Sequence, residues 1–357
     1  MGSLVQVQPG ELRAATAALF LFSTNHWFKT ASASRTLRPL RLNINPSFMQ
    51  LITVGTVAFD RIETPFGVAE KTVGGAATYI SLAASVFLEK MGLVSVVGDD
   101  FPEAVMQQLR DRGVDLGGLE VLKGKESFFW AGRYHYDMNT RDTLETRLNV
   151  LLELDPKLPE AYRKAPYVML GNLDPAVQGK VLDQMAERPA LVVMDTMNFW
   201  MDSAMPKLLE VIARVDILTI NDAEARQLSG EHSLVKAAAK ILAMGPKYLV
   251  VKKGEHGALL FGAGRVFFAP ALPLEDVIDP TGAGDTFAGG FIGYLARTQD
   301  HSFDNLKRAI IVGSAMASFT CEKFGIERLV EVTREDIDQR IQQFVELVDF
   351  DIELVEG

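Results

Sequence analysis

The chain has 357 residues, is 48% hydrophobic and 23% charged, and carries a net charge of -10 and a single cysteine. That balance is too apolar for a disordered chain, too poor in cysteine for a disulfide framework or a zinc cluster, and too acidic for a broad nucleic-acid surface. No apolar run reaches the roughly 18 residues that a membrane-spanning helix needs.

The charge is uneven along the chain. Residues 1–48 hold one acid, Glu11, and five bases, Arg13, Lys29, Arg35, Arg38 and Arg41, a net of +4 that leaves -14 for the rest. A secretory signal fits poorly, because no basic stretch precedes the short apolar patch from Ala14 to Phe22. An acid-poor, Arg- and Ser-rich transit segment, which would imply an organelle, or an extension preceding a start at Met49, which would leave the protein cytoplasmic, both fit better. The segment 1–48 is therefore set apart from the domain expected over 49–357.

From Gln50 the pattern is that of an α/β protein. Short apolar runs closed by Gly, Asp or Asn read as buried parallel strands at Leu51–Gly55, Val94–Gly98, Tyr167–Gly171, Leu191–Asp195, Asp216–Asn221 and Tyr248–Gly254. Helical spacing falls between them, over Ala76–Gly92, Pro102–Val114, near Gln178–Glu187 and near Leu234–Met244. Strands alternating with helices predict a mainly parallel sheet covered on both faces. Two stretches break the rhythm. Residues 59–75 and 126–151 are polar, aromatic and partly alternating, and predict a small β lid with a turn near Asn139–Thr143. Its alternating Phe128, Trp130, Tyr134 and Tyr136 would place one face toward a cleft or against the lid of a second copy, making a homodimer. Arg133 and Arg147 are candidates to meet an anionic substrate group.

The most informative string is DPTGAGDTFAGGF, residues 279–291. Pro280 and the glycines delay a helix until Asp285, so Gly282, Ala283 and Gly284 would present backbone N–H groups at a helix N-terminus, an anion site by geometry and dipole. A carboxylate is a poor phosphate ligand but a good base beside a phosphate, where Asp285 would accept the proton of an attacking hydroxyl. The plainer alternative makes Asp285 a helix cap after a glycine turn. The chain has no GxxxxGK[ST] loop, and Phe287 stands where a dinucleotide fingerprint requires Gly or Ala.

At this string the sequence resembles the ribokinase-like (PfkB) carbohydrate kinases. The resemblance runs over nearly all of 50–341 and includes Asp60, Gly74–Gly75, Val96–Asp100, Arg110–Asp115, Asn221–Gly230 and Lys252–Phe261. It implies a three-layer sandwich with a mainly parallel central sheet and a small β lid, acting as an ATP-dependent kinase of a sugar or sugar-like alcohol. It also implies Asp285 as base and Gly282, Ala283 and Gly284 as anion hole. Asn221 and Glu224 match N-x-x-E, which holds Mg²⁺ through water; their alternative is a helix cap with a first-turn acid. Gly254 and Gly257 resemble the turn against which nucleotide packs, or form an ordinary hairpin turn. Ser314 to Gly325 resembles the helix and loop beside adenine, with Cys321 a buried small hydrophobe. A monovalent cation beside ATP and Mg²⁺ is left open.

For substrate, the resemblance points to Asp60, whose carboxylate can accept from two adjacent hydroxyls, or which is otherwise a turn residue. Gly74 and Gly75 would hinge the lid. The chain then departs from the family pattern G-G-x-x-x-N: it reads GGAATY, with Tyr79 at the usual Asn. That substitution counts against ribose or fructose and opens a nucleoside or a modified sugar as substrate. Asp195 and Asn198 are a further polar pair at a strand end. A non-catalytic binder on the same fold is the remaining alternative, disfavoured by the intact Asp285.

Overall fold

A computed structural model describes residues 48–349. The N-terminal extension set apart above lies, but for Phe48, outside the described residues. Thirteen strands and eleven helices are described. The larger sheet has the order β13-β12-β11-β10-β9-β8-β1-β4-β5. Its strands are β1 (Leu51–Val54), β4 (Met91–Gly98), β5 (Val114–Leu122), β8 (Tyr167–Leu170), β9 (Leu191–Asp195), β10 (Ile217–Asn221), β11 (Tyr248–Lys252), β12 (Ala258–Gly262) and β13 (Arg265–Ala269). Pairing is parallel from β5 through β11, and the β12–β13 hairpin closes that edge antiparallel.

Alternation along these strands builds the layers. Leu51, Val193 and Val250 join one apolar cluster, with α1 (Ala76–Ser85), α2 (Glu103–Asp111), α8 (Ala283–Thr298) and α9 (Phe303–Thr320). Ile52, Val192 and Val251 join the opposite cluster, with α3 (Pro175–Gln184), α5 (Met205–Ile212), α6 (Asp222–Ser229) and α7 (Leu234–Leu242). The expected three-layer sandwich follows, because strands buried on both faces need helices on both. Three short or terminal helices complete the set, α4 (Asn198–Ser203), α10 (Glu327–Glu331) and α11 (Arg334–Val348).

The lid is a second, four-stranded sheet in the order β3-β2-β6-β7, from β2 (Ala58–Thr64), β3 (Gly67–Gly74), β6 (Phe128–Tyr134) and β7 (Arg141–Arg147). Its second turn spans residues 135–140, earlier than expected, because Asp137 caps it by accepting from the Asn139 and Thr140 backbone N–H groups and the Thr140 hydroxyl. The helix expected over Ala76–Gly92 stops at Ser85, and Met91–Gly92 belong to β4. Strands β5, β12 and β13 were not expected as such.

Candidate active site

The carboxyl ends of parallel strands gather the polar groups, as they do in open α/β sheets generally. Asp195 ends β9, Asn221 ends β10 and Lys252 ends β11. Asp285 enters from the first turn of α8, across the sheet edge from these three.

The loop leading into α8 is tied down from within. Asp279 is fully buried and accepts from the backbone N–H of Thr281 at 2.8 Å and of Gly325 at 3.0 Å. The Thr281 hydroxyl donates to the Tyr134 phenol of the lid at 3.2 Å. Gly282 then takes φ +76°, a conformation that glycine adopts without cost, and α8 begins. Among the described residues, no protein group accepts from the N–H of Gly282, Gly284 or Asp285, whereas Ala283 donates to the Pro280 carbonyl at 3.1 Å. Three of the four N–H groups at this helix start are thus free to meet an anion, and the fourth must exchange a turn bond to do so.

Burial shapes the acids here. Desolvation, reinforced by Asp195, pushes Asp285 up to about 7, with Lys252 and Arg141 opposing. Lys252 is desolvated as well, but Asp195, Glu224 and Asp285 outweigh that, so its pKa is raised and it stays charged. It donates to Asp195, whose other oxygen accepts from the Thr196 N–H at 2.8 Å. Asn221 and Glu224 form a reciprocal cap: Asn221 Oδ1 accepts from the Glu224 N–H at 2.8 Å, and Glu224 Oε2 from the Asn221 N–H at 2.7 Å. The cap does not exhaust Glu224. Burial and then Asp195 push it up to about 7, a sign of local anionic excess. Such a pocket suits a hard divalent ion that keeps its water. Among the described residues no three His, Cys, Asp or Glu side chains stand close enough to chelate a metal directly.

On the opposite side stand Asp60 and Tyr79. Asp60 is the third residue of β2, not a turn residue, and is 4% exposed. Desolvation, then Asp279 and Asp285, push it up to about 8, against Arg141 and a bond from the Gly75 N–H. Gly74 leaves it room, since a Cβ there would lie 1.8 Å from Asp60 Oδ2. Gly75, at φ +91°, joins β3 to α1 and so connects lid to core. Tyr79 is 1% exposed, and its hydroxyl has no hydrogen-bond partner.

Several expected residues fall elsewhere. Asn198 opens α4 and donates to Gln227 of α6 instead of joining Asp195. Ser314 lies part-buried within α9, and no hydrogen bond joins it to the cluster. Gly325 bonds Asp279 and packs on Thr72 of the lid. Gly254 and Gly257 bracket a turn between β11 and β12, and the lid's Asn139 donates to Glu255 there at 3.2 Å. Cys321 is part-buried, and desolvation, then Asp279 and Glu322, hold its thiol up at about 12.

Arg133 pairs with Glu63, and Arg147 lies over the Phe129 ring, so neither turns to the cleft. The lid arginine that does is Arg141. Exposed as a residue, it stands opposite Tyr134 across the β6–β7 ladder and over the Trp130 ring, and its charge bears on Glu224, Asp285 and Asp60. Arg141, Lys252 and Asp279 were missed as site residues. For Lys252 the signal was available: a lysine following apolar residues at the carboxyl end of a parallel strand.

A buried acid beside unpaired N–H groups at a helix start, under a lid, is the arrangement of a phosphoryl-transfer enzyme. Residues 54–332 match the family described as pfkB family carbohydrate kinase. A cytidine kinase of Thermococcus kodakarensis is 31% identical over 284 residues, which are 78% of this chain and 98% of the archaeal one. The crystal structure of Methanocaldococcus jannaschii nucleoside kinase, 23% identical, superposes with a TM-score of 0.67 over 83% of this chain and 99% of its own. A putative ribokinase II from E. coli in complex with ATP and Mg²⁺, 21% identical, gives a TM-score of 0.69 over 83% and 100%. The chain belongs to the pfkB family of carbohydrate kinases. It is a kinase of the sugar and nucleoside class, using ATP on a small-molecule substrate. No helix among the described residues is long and apolar enough to cross a membrane.

Proposed function

We propose that this enzyme phosphorylates a sugar hydroxyl of a nucleoside with ATP, with Asp285 as the general base. The observation that carries the chemistry is Asp285 itself: a carboxyl held at about 7 beside the free N–H groups of Gly282 and Gly284. A base in that range accepts a proton near neutral pH without being wholly protonated beforehand. The hydroxyl, held between Asp60 and Asp285, loses its proton to Asp285 as its oxygen attacks the γ-phosphorus, and ADP leaves. The backbone N–H groups stabilise the charge on the transferring phosphoryl oxygens. Asn221 and Glu224 would hold Mg²⁺ through water, and the ion, bound with ATP, would supply neutralisation of the phosphates' charge. Arg141 brings positive charge with the lid, and Asn139 rests the lid tip on the turn of Gly254 and Gly257, so closure excludes water that would otherwise hydrolyse ATP.

Two features favour a nucleoside over a free sugar. Tyr79 replaces the amide that the family places there, and its partnerless hydroxyl and ring face the same space as Asp60. The relative that shares 98% of its length with this chain is a cytidine kinase. Asp60 would take two adjacent hydroxyls of the sugar. We assign the kinase to residues 49–357, with the lid from about 59–75 and 126–151. The β7 edge, exposed along its whole length, is the surface on which a second lid would pair. The test is ATP turnover on matched nucleosides and free sugars, with and without K⁺. Turnover of ribose or fructose in preference to every nucleoside would overturn the substrate assignment.

A further inference from the structure

Lys252 has a position that a structural ion pair does not explain. It ends β11, yet its side chain passes the end of β10 to reach Asp195 on β9, two strands away. The Asp195 side chain is buried at 6% exposed and that of Lys252 part-buried at 17%. A lysine buried to meet one carboxylate gains little stability over an apolar pair of the same volume, because desolvation offsets the attraction. Its place in the site is more telling. A Cβ on Gly284 would lie 3.3 Å from the Lys252 ammonium, so the ammonium faces the glycine loop. Its one bonded side-chain partner is Asp195, which leaves two of three N–H donors unspent. Around it stand Asp195, Glu224 and Asp285, whose charges all favour its protonated form.

We propose that Lys252 is a further catalytic residue, donating to the oxygens of the transferring phosphoryl group, with Asp195 as the positioning residue that aims it. This rests on the kinase reading above. The three peripheral phosphoryl oxygens carry the charge that develops between the attacking hydroxyl and departing ADP. Gly284 and Asp285 offer N–H groups from one side, and the ammonium offers two more donors from the strand ends. Asp195 is itself oriented, since its other oxygen accepts from the Thr196 N–H. The lysine therefore serves both anions at once, and Asp195 fixes its direction. A fixed, desolvated donor of this kind acts without reorganisation at the moment of transfer.

The γ-phosphate separates this role from a structural one. Binding of Mg·ADP and of Mg·AMP-PNP would be measured by calorimetry on the full chain, together with kcat, for the wild type and for Lys252→Met. The expected result is ADP affinity within about twofold of wild type, AMP-PNP affinity weakened by about tenfold or more, and kcat lowered by about a hundred- to a thousandfold. Lys252→Arg, which keeps the charge, should recover part of the AMP-PNP affinity. If Lys252→Met does not fold, Lys252→Met combined with Asp195→Asn removes both buried charges together and is read in the same way. Equal loss of both nucleotides, or retention of both with normal turnover, overturns the assignment while leaving the kinase intact. A wild-type chain that binds neither nucleotide overturns the kinase reading instead.

Discussion

The ring of Tyr79 occupies the space that a side chain on Gly282 would need: a Cβ there would lie 2.4 Å from the ring carbons. The substrate wall and the phosphate loop are therefore one packed contact. Gly282→Ala must both displace that ring and hold a substituted residue at φ +76°, which costs on the order of 1–3 kcal/mol. Tyr79→Phe is the gentler probe. It deletes a buried hydroxyl that has no partner, so the ligand-free protein should melt at the same temperature or higher. If the hydroxyl meets substrate, the substrate KM should rise by about tenfold with the KM for ATP unchanged. Thermal melting and steady-state kinetics on the same preparation check both.

Asp285→Asn should lower kcat by at least about a hundredfold and leave ATP affinity within a few fold, because the amide keeps the shape but cannot take a proton. In the wild type, kcat/KM should rise with pH through about 7, where the base of the free enzyme ionises. A profile flat from pH 5.5 to 8.5 would remove Asp285 from the proton transfer.

The buried acids also make the ligand-free fold pH-sensitive. Burial raises Asp60 from 3.8 to about 8, and Asp285 from 3.8 to about 7. Between the unfolded and folded values the native state holds protons that the unfolded chain has released, so stability must fall as pH rises from about 4 to about 8. The Tm of the ligand-free protein should therefore be lower at pH 8 than at pH 5.5, provided other groups are matched by comparing variants. Asp60→Asn should lessen this slope and raise the Tm at pH 8, by roughly 2–4 °C for each kcal/mol recovered. An unchanged slope would show that Asp60 ionises freely.

The parts of the fold readable from sequence were those where one segment carries its own signal. Strands β1, β8, β9 and β10 are apolar runs buried on both faces, and their bounds were found to within a residue or so. Strand β5 (VDLGGLEVL) has two adjacent glycines and is half exposed, so its pattern resembles a loop; only its parallel pairing with β4, through a register shift, makes it a strand. The helix α1 is shorter than its apolar pattern suggests, because Met91 and Gly92 continue that pattern into β4. The site divides in the same way. Asp285 and its glycines lie in one string. Arg141 and Asp279 acquire meaning only through partners 7 and 46 residues away, namely the cross-strand Tyr134 and Gly325.

A chain beginning at Met49 should melt at the same temperature as the full chain and turn over within about twofold of it, since Met49 itself is buried in the core beside β1 and the family match starts at residue 54. Loss of solubility or activity would show that the preceding basic segment contributes to the enzyme.

Three of the lid arginines, Arg133, Arg141 and Arg147, give the sharpest contrast. Arg133 and Arg147 are spent on Glu63 and on the Phe129 face, both in the lid itself, and exposed pairs of this kind are worth little. Arg141 instead stands on the neighbouring strand opposite Tyr134, whose phenol accepts from Thr281 in the phosphate loop, and its charge bears on Asp285 and Glu224. Of these three arginines, Arg141 is the one whose charge reaches the reacting groups. Arg141→Ala should lower kcat by about ten- to a hundredfold, the worth of a charged hydrogen bond, whereas Arg133→Ala and Arg147→Ala should stay within about twofold of wild type. Because the guanidinium also counters the burial that raises Asp285, its removal should move the alkaline rise of kcat/KM to higher pH. Measuring the pH profile of each variant separates that electrostatic effect from mere loosening of the lid, which would lower kcat without moving the profile.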